Sequence, residues 1–358
     1  MGRSAGAFLD AGTFWRQRIN DAPGYSVIRH DNRFRANVAR SSVFASAYQN
    51  CIDARNTLMH TYAGSALTDI CHGTEVETEE GICLRITEER EHRQLPLKPE
   101  EAEGVLIRRL RLVPGIGPAT ERLLFRKGCR TIHDLLHIRR FQKSAGEVLQ
   151  VIEGCDFGSV AALIAGRMGR AHPDIITASA FSPDERFCFL DIETLGVFSR
   201  PVFLIGSAEL TCGQIRFHQF LARDIDEELP ALLAWRDSVP PDATIISYNG
   251  RSFDLPYLAD RFAYYGIDSG IFSDQIDLLH ITRRLHRSWL TDCRLATVEE
   301  EVLGICRESD LPGALVPEFY DIYRRTKNPG PLLPVLKHNR QDVLSLIELL
   351  RFYREMAG

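Results

Sequence analysis

The sequence predicts an α/β fold for its C-terminal half, with a small helical module before it. Four apolar, alternating segments are typical of strands and lie at 186–194, 202–210, 215–221 and 243–248. Three segments whose apolar residues recur at helical spacing accompany them, at 226–238, 255–265 and 332–356. This alternation indicates a sheet flanked by helices.

The chain divides by composition into an N-terminal region, a helical module, a linker and the α/β domain, over 1–98, 99–164, 165–186 and 187–358. Residues 1–60 carry scattered arginines without a clear pattern, so we expect either a loose arm or a helical wrap there. Residues 73–87 alternate on both sides of Gly81 and predict a small β element. The glycines and prolines between 165 and 186 are typical of a linker.

Short helices are predicted through the helical module. Apolar residues recur at helical spacing over 100–112, until a Pro-Gly-Ile-Gly turn at 114–117 interrupts them. Pro118 suits the first turn of a second helix, which Gly128 ends. Thr131 can cap a third helix, because its hydroxyl can accept backbone N–H bonds.

Charge is distributed unevenly along the 358 residues. The formal net charge is −5, whereas a protein that binds nucleic acid by charge alone is basic. Residues 105–143 nevertheless hold ten Lys and Arg against two acids, a net of +8, which leaves −13 for the rest. No segment approaches the roughly 18 apolar residues of a membrane helix. We therefore expect no membrane association, and one basic segment that faces an anion.

Nine cysteines are widely spaced and include no C-x-x-C pair. This spacing argues against a zinc ribbon or a disulfide framework and is typical of a reduced, cytoplasmic protein. Cys71, His72 and Cys83 form a weaker alternative, a metal site that lacks a fourth ligand at the usual spacing.

Asp191 and Glu193 stand two residues apart on the first predicted strand of the α/β domain, so their side chains point to the same face. Adjacent carboxylates repel each other unless a cation lies between them. The alternative is a solvent-facing pair on an edge strand. Cys188, Leu190 and Ile192 make the opposite face apolar, which favours a central strand.

Two later motifs add further polar groups. Asp254 follows the turn after the strand at 243–248, where it is either a helix cap or a metal ligand. His338 and Asp342 are four residues apart and share one face of the last helix. Taken alone, this pair also fits an exposed ion pair.

The three motifs in this order resemble the DEDD superfamily of ribonuclease-H-like 3′–5′ exonucleases: Asp-x-Glu at 191–193, Asn-x-x-x-Phe-Asp at 249–254 and His-x-x-x-Asp at 338–342. The second motif is similar to the exonuclease motif of family B DNA polymerases. Further stretches at 276–280, 293–299, 303–305 and 310–313 resemble the bacterial YprB-type group. The resemblance covers about residues 180–358 and implies a ribonuclease-H-like mixed sheet flanked by helices.

The resemblance also implies roles for single residues. The ligands of two Mg²⁺ or Mn²⁺ ions would be Asp191, Glu193, Asp254 and Asp342, since oxygen ligands suit these cations. His338 would orient or deprotonate the attacking water, which requires a neutral imidazole. The superfamily places Tyr at this spacing and His one residue further from the Asp, so His338 departs from the pattern. Tyr248 and Asn249 would contact the terminal nucleotide. Phe253 would pack rather than act as a wedge, and Asp277 would be structural or would support the metal ligands from behind.

The basic segment at 113–128 resembles a helix-hairpin-helix motif. Gly115 and Gly117 would let the backbone approach a phosphate, at which the next helix aims its N-terminal N–H groups. Positive charge beside this turn comes from Arg122, Arg126 and Lys127. The alternative is a helical turn with a solvated basic face. Because phosphate contacts carry no base information, we expect nonspecific binding.

These observations predict a metal-dependent 3′–5′ exonuclease that acts on single-stranded ends, with DNA favoured over RNA as the partner. Two alternatives stay open. One is a catalytically silent nucleic-acid-binding protein, in which the carboxylates remain only as structure. The other is a ribonuclease that processes RNA 3′ ends.

Overall fold

The computed structural model describes residues 42–196, 199–270, 274–307 and 311–358. The expectation for residues 1–60 lies outside the described residues up to residue 41, and Asp310 lies outside them as well. From residue 42 the chain forms a helix rather than a loose arm.

Helices and strands alternate as predicted. The helices are α1 Ser42–Thr61, α2 Leu67–Ile70, α3 Pro99–Leu106, α4 Pro118–Arg126, α5 Ile132–Leu135, α6 Gln142–Glu153, α7 Phe157–Met168, α8 Asp174–Ser179, α9 Glu228–Ser238, α10 Asp254–Tyr264, α11 Leu278–His286, α12 Leu295–Val298, α13 Val316–Thr326 and α14 Leu332–Ala357. The strands are β1 Gly73–Thr78, β2 Gly81–Glu91, β3 Phe187–Thr194, β4 Val202–Thr211, β5 Gln214–Leu221, β6 Thr244–Ser247 and β7 Gln275–Asp277. Among the residues that the structure describes, no helix is long and apolar enough to cross a membrane.

One mixed sheet organises the fold, with the strand order β1-β2-β5-β4-β3-β6-β7. In this order, the neighbours β1, β2, β5, β4 and β3 pair antiparallel to one another. The strands β3, β6 and β7 pair parallel. Strand β3 therefore lies inside the sheet, between β4 and β6. This arrangement confirms the predicted mixed sheet flanked by helices and excludes an edge position for Asp191 and Glu193.

Two apolar layers cover the two faces of the sheet. Successive side chains of β3 point alternately into one layer and the other. Leu190 and Ile192 face a layer that contains Trp235 of α9 and residues of α10 and α13. Phe187 and Phe189 face the other layer, which α14 and the helical module complete. The module thus shares one core with the sheet and is packed against it.

The N-terminal hairpin is part of this sheet. Strand β2 pairs antiparallel with β5, from Leu84 opposite Leu221 to Glu91 opposite Gln214. The small β element predicted at 73–87 therefore exists, and it extends the sheet of the α/β domain rather than standing alone.

The segment predicted as a linker, 165–186, is instead packed. Helix α7 extends into it as far as Met168, and every residue of α8 is buried. The buried guanidinium of Arg354 donates to the carbonyl oxygen of Ser179 at 2.6 Å and to Asp184 at 3.2 Å. The linker prediction was wrong because Gly and Pro shape turns here, between segments whose apolar side chains are buried.

The helical module differs from the prediction in one place. Its first helix, α3, ends at Leu106, and a short 3₁₀ turn at Leu110–Leu112 follows. Gly115 then adopts a left-handed conformation, with φ of +85°, that favours glycine. The next helix, α4, begins at Pro118 as expected.

Candidate active site

The acidic residues predicted on the first strand lie near the end of β3. Asp191 pairs in register with Gly206 of β4, and Glu193 with Leu204. A β-bulge follows directly between Glu193 and Thr194. Bulges re-aim side chains beside functional sites, and this one ends the regular pairing at the second acid.

Asp254 is aimed at the same strand. It is the first residue of α10, and its Oδ1 accepts the backbone N–H of Ile192 at 3.1 Å. Phe253, not Asp254, occupies the capping position of the helix. The carboxylate of Asp254 is buried, so the helix-cap alternative does not describe it.

His338 and Asp342 reach the cluster from α14. The His338 Nε2 lies 3.7 Å from Asp342 Oδ2 and 3.9 Å from Glu193 Oε1. The side chains of His338 and Asp342 are only 12% and 17% exposed. The pair is therefore not an exposed one on a solvated helix face, and its imidazole lies between two of the predicted ligands.

The electrostatics of the cluster require a counter-charge. The pKa of Asp191 is held well above its usual value, first by burial and then by the charges of Asp342, Glu193 and Asp254. Burial also raises the pKa of Asp254 to about 7 and, in direction, that of Asp342. Carboxylates that repel one another in a buried site favour either protonation or a bound cation.

Asn339 fixes the position of Asp191, and the sequence did not indicate it. Its Nδ2 donates to Asp191 Oδ2 at 2.9 Å, while its Oδ1 accepts from Gln219 at 2.9 Å. Asn339 is fully buried. A Cβ added to Gly206 would lie 2.2 Å from the Oδ1 of Asn339, so only glycine fits there. A polar residue on the apolar side of α14 was the available signal.

Arg307 is a second residue that sequence reasoning missed. Its guanidinium donates to Asp342 and, at 2.8 Å, to Glu299. Glu299 is fully buried and also accepts the hydroxyl of Ser345. The run Glu299-Glu300-Glu301 reads as solvated surface, so nothing local marks its first member as a buried partner.

Each of three carboxylates already has a protein donor on one oxygen. The donors are the Ile192 N–H, the Asn339 amide and the Arg307 guanidinium. Within the ranges that the structure describes, no three His, Cys, Asp or Glu side chains are grouped so as to hold a metal ion. This also gives no support to the weaker idea of a site at Cys71, His72 and Cys83. The donor chemistry of the acids still fits hard divalent cations, because carboxylate oxygens remain.

The loop before α10 is held by Asp277. The Asp277 carboxylate accepts the N–H of Asn249 at 2.9 Å, of Arg251 at 3.2 Å and of Leu279 at 3.1 Å. Asp277 therefore has the structural role predicted for it. Asn249 itself is exposed and has a left-handed φ of +69°.

Two aromatic residues of this loop are engaged inside the protein. The Tyr248 hydroxyl donates to the Cys293 carbonyl at 2.8 Å, so the hydroxyl is engaged inside the protein, and contact of the ring with a nucleotide stays a prediction. The Phe253 ring packs against Tyr257, with centroids 5.3 Å apart. Packing was the predicted role of Phe253.

The basic segment at 113–128, called the basic hairpin below, belongs to other elements than the acidic cluster. Ile116 is buried and anchors it, while Gly115 is exposed. A Cβ at Gly117 would meet no atom within 4 Å, so open space lies beside the start of α4. The basic side chains on the exposed surface of α4 and the residue after it are Arg122, Arg126 and Lys127.

Comparison with known proteins agrees with the sheet. Residues 188–353, a little under half of the chain, match the family model RNase_H_2 of the RNase_H superfamily. The match includes all four acids, His338 and Asn339.

A stretch of 187 residues, 49% of this chain, is 32% identical to the uncharacterized protein YprB of Bacillus subtilis (strain 168). The match covers 43% of that relative, so the chain spans less than half of its length. Among solved structures, the family B DNA polymerase from the hyperthermophilic archaeon Pyrobaculum calidifontis matches 47% of this chain and 24% of its own. That match has 22% identity and a TM-score of 0.38.

Proposed function

We propose that this protein is a metal-dependent 3′–5′ exonuclease that hydrolyses phosphodiester bonds at nucleic-acid ends, with single-stranded DNA as the favoured substrate. One observation carries the proposal: the acids of three separate motifs lie close enough for the charges of Asp342, Glu193 and Asp254 to raise the pKa of Asp191. Their mutual repulsion is the property that a cationic cofactor would relieve.

Asp191, Glu193, Asp254 and Asp342 would hold two Mg²⁺ or Mn²⁺ ions. Such a pair stabilises the charge on the attacking and leaving oxygens of a phosphodiester. Asn339 keeps the Asp191 carboxylate in place through a hydrogen bond of 2.9 Å. The Ile192 N–H does the same for Asp254.

His338 is positioned to act on water. Its Nε2 lies between the carboxylates of Glu193 and Asp342, at 3.9 Å and 3.7 Å. A neutral imidazole there would orient a water molecule or accept its proton. The Nη1 of Arg307 lies 3.5 Å from His338 Nδ1 and can only donate, so a neutral imidazole accepts there and carries its proton on Nε2. In this tautomer Nε2 would orient water as a donor, and a base role would require the proton on Nδ1 instead.

In this proposal, the basic hairpin supplies the affinity for nucleic acid. An exposed Gly115, the open space beside Gly117 and the three cations of α4 and its end fit contacts with phosphate. Such contacts do not read bases, so the proposed binding is nonspecific in sequence.

The catalytically silent alternative has two observations in its favour, the first being that no three His, Cys, Asp or Glu side chains in the described ranges are grouped so as to hold a metal ion. The second is that Arg307 already supplies a positive charge to Asp342, and a buried cation of the protein can satisfy an acid without metal. Isothermal titration with Mn²⁺ at neutral pH separates the two functions. The nuclease requires binding that disappears in Asp191→Asn, whereas the silent protein shows no such binding.

The decisive experiment uses the full chain and oligonucleotides labelled at either end. We expect a ladder of products from 5′-labelled single-stranded DNA with Mn²⁺ or Mg²⁺, and none with EDTA or with Asp191→Asn. A matched RNA panel distinguishes the ribonuclease alternative. Shortening of 3′-labelled strands from their 5′ end, or internal cuts alone, would contradict the proposed polarity.

A further inference from the structure

A second basic surface lies where the helical module meets the α/β domain. Its exposed arginines are Arg109, Arg111, Arg167, Arg170 and Arg284. The Arg284 Nη1 donates to the Met168 carbonyl at 3.3 Å, which ties α11 to the end of α7. The Arg167 Nη2 donates to the Val113 carbonyl at 3.3 Å, beside the hairpin. These contacts hold the side chains on one surface while leaving them open to solvent.

Little acid compensates this charge at the junction. The Asp174 carboxylate lies 3.1 Å from the Arg109 Nε and 3.4 Å from the His172 Nδ1, but its side chain is only 3% exposed. The pKa of His172 is lowered, chiefly by burial, and the charges of Arg284, Arg109 and Arg111 lower it further. Three guanidinium groups thus lie within electrostatic range of one imidazole. Like charges gathered in this way attract a polyanion.

The surface runs from the basic hairpin at one end to the loop before Asp254 at the other. At one end, Arg111 precedes the hairpin glycine Gly115 by four residues. At the other, Arg251 stands in the loop that leads to Asp254, and the charge of Arg170 lowers its pKa after the larger effect of burial. Arg170 is two residues beyond Met168, to whose carbonyl Arg284 donates. Basic residues therefore extend from the hairpin towards the loop that precedes Asp254.

An exposed aromatic residue lies beyond α11. Trp289 is 54% exposed, and its ring stands edge-on to His286, with centroids 5.2 Å apart. Exposed aromatic rings beside arginines are typical of surfaces on which the bases of a single strand stack. The base faces of duplex DNA are already stacked on one another, so an exposed ring such as Trp289 favours a single strand.

We propose that Arg111, Arg170 and Arg284 form a track that holds the phosphodiester backbone of a single strand between the hairpin and the acidic cluster. The proposal rests on the proposed function, in that it gives the substrate a path to that site. A strand contacts the track only if it is long enough to extend beyond the acidic cluster. Because the track contacts phosphates and not base edges, it selects no sequence.

The test compares two variants that each lose two positive charges. The track variant is Arg111→Gln with Arg284→Gln; Arg109 is left in place because it contacts the buried Asp174. The control variant is Arg186→Gln with Arg325→Gln, whose side chains are 52% and 69% exposed and pair with Asp242 and Asp321. Thermal melting checks that both fold as the parent does.

Affinity is measured by fluorescence anisotropy in EDTA, with oligo(dT) and oligo(U) of about 30 and about 5 nucleotides. We expect the track variant to bind the long strand about tenfold more weakly, with a salt slope reduced by about 1.4, the value for two contacts to a single strand. Binding of the short strand should not change, nor should the control variant differ from the parent. If DNA and RNA weaken together, the shared phosphate backbone is what the track holds.

Equal affinities of the track and control variants for the long strand would overturn the track, whatever the enzymatic outcome. Cleavage of the short strand with Mn²⁺ is followed separately in all three proteins. Loss of affinity without any cleavage in the parent would support the track and contradict the exonuclease. Cleavage without a difference in affinity would leave the exonuclease and remove the track.

Discussion

The acidic cluster and the basic hairpin are built in opposite ways. The cluster draws its carboxylates from β3, α10 and α14, spread over more than 150 residues, and keeps them largely buried. The hairpin draws its glycines and cations from one short stretch, 115–127, and exposes them. Burial raises the pKa values of Asp191, Asp254 and Asp342, whereas solvent surrounds the cations of the hairpin. A change in the cluster should therefore alter chemistry, and a change in the hairpin should alter affinity.

Replacing one of the proposed metal ligands is the strongest way to test this contrast. Asp191→Asn or Asp342→Asn should slow hydrolysis about a thousandfold or more. This corresponds to a loss of several kcal/mol of transition-state stabilisation. Binding of DNA in EDTA should remain within about twofold, because phosphate contacts come from the exposed cations. Single-turnover rates and anisotropy measure the two quantities on the same protein.

The matched control is Asp237→Asn, an exposed acid on α9 that contacts Arg236. It should leave both rate and affinity unchanged. Near-parental turnover of either cluster variant with Mg²⁺ would remove the site assignment.

His338 sharpens the contrast inside the cluster itself. His338→Ala should slow the chemical step by roughly a hundredfold to ten-thousandfold, the usual contribution of a general base. His338→Tyr should recover part of that loss, because a hydroxyl can orient water without accepting its proton. Single-turnover rates with saturating Mn²⁺ distinguish the three proteins, and an Ala variant within about threefold of the parent would reduce His338 to a packing role.

The hairpin predicts the reverse pattern. Arg126→Ala with Lys127→Ala should weaken binding of single-stranded DNA and reduce its salt slope by about 1.4, since two fewer counterions are released. Cleavage of a short, saturating oligonucleotide should hardly change. Anisotropy titrations at several salt concentrations give both numbers, and unchanged affinity at low salt would exclude these residues from phosphate contact.

The smallest expected effect is on stability. The folded pKa of Asp254 is about 7 against an ordinary value of 3.8, so the folded protein binds this proton more tightly than the unfolded one. The stabilisation is complete below about pH 4 and is lost as pH rises towards 7. In EDTA, the unfolding free energy of the parent should therefore fall more steeply over this range than that of Asp254→Asn. Denaturant melts at four pH values measure the difference, and parallel curves would contradict it.

The sequence was sufficient where the information is periodic or ordered. The strands follow from alternating apolar residues, and the mixed sheet confirms them. The order of the three motifs is read directly from their spacing along the chain. The linker prediction at 165–186 relied on composition alone, which does not report that Ile175 and Ile176 are buried. Turn-forming residues serve flexible links and packed corners equally well.

Long-range pairing was out of reach of the sequence. Asn339 meets Asp191 across 148 residues, and Arg307 meets Asp342 across 35. Neither contact leaves a local pattern, because each depends on how α14 is laid over β3. The buried Glu299 is a further case, since charged residues are usually exposed unless a partner removes the cost of burial.

The union of β2 with β5 has a consequence for the newly synthesised chain. Glu91 and its partner Gln214 are separated by 123 residues. At a translation rate of about 5–20 residues per second, β2 would leave the ribosome roughly 6–25 s before β5. During that interval its open edge is exposed to other strands. Charged side chains on an open edge oppose pairing with other strands, and β2 carries Glu88, Glu89 and Glu91 there.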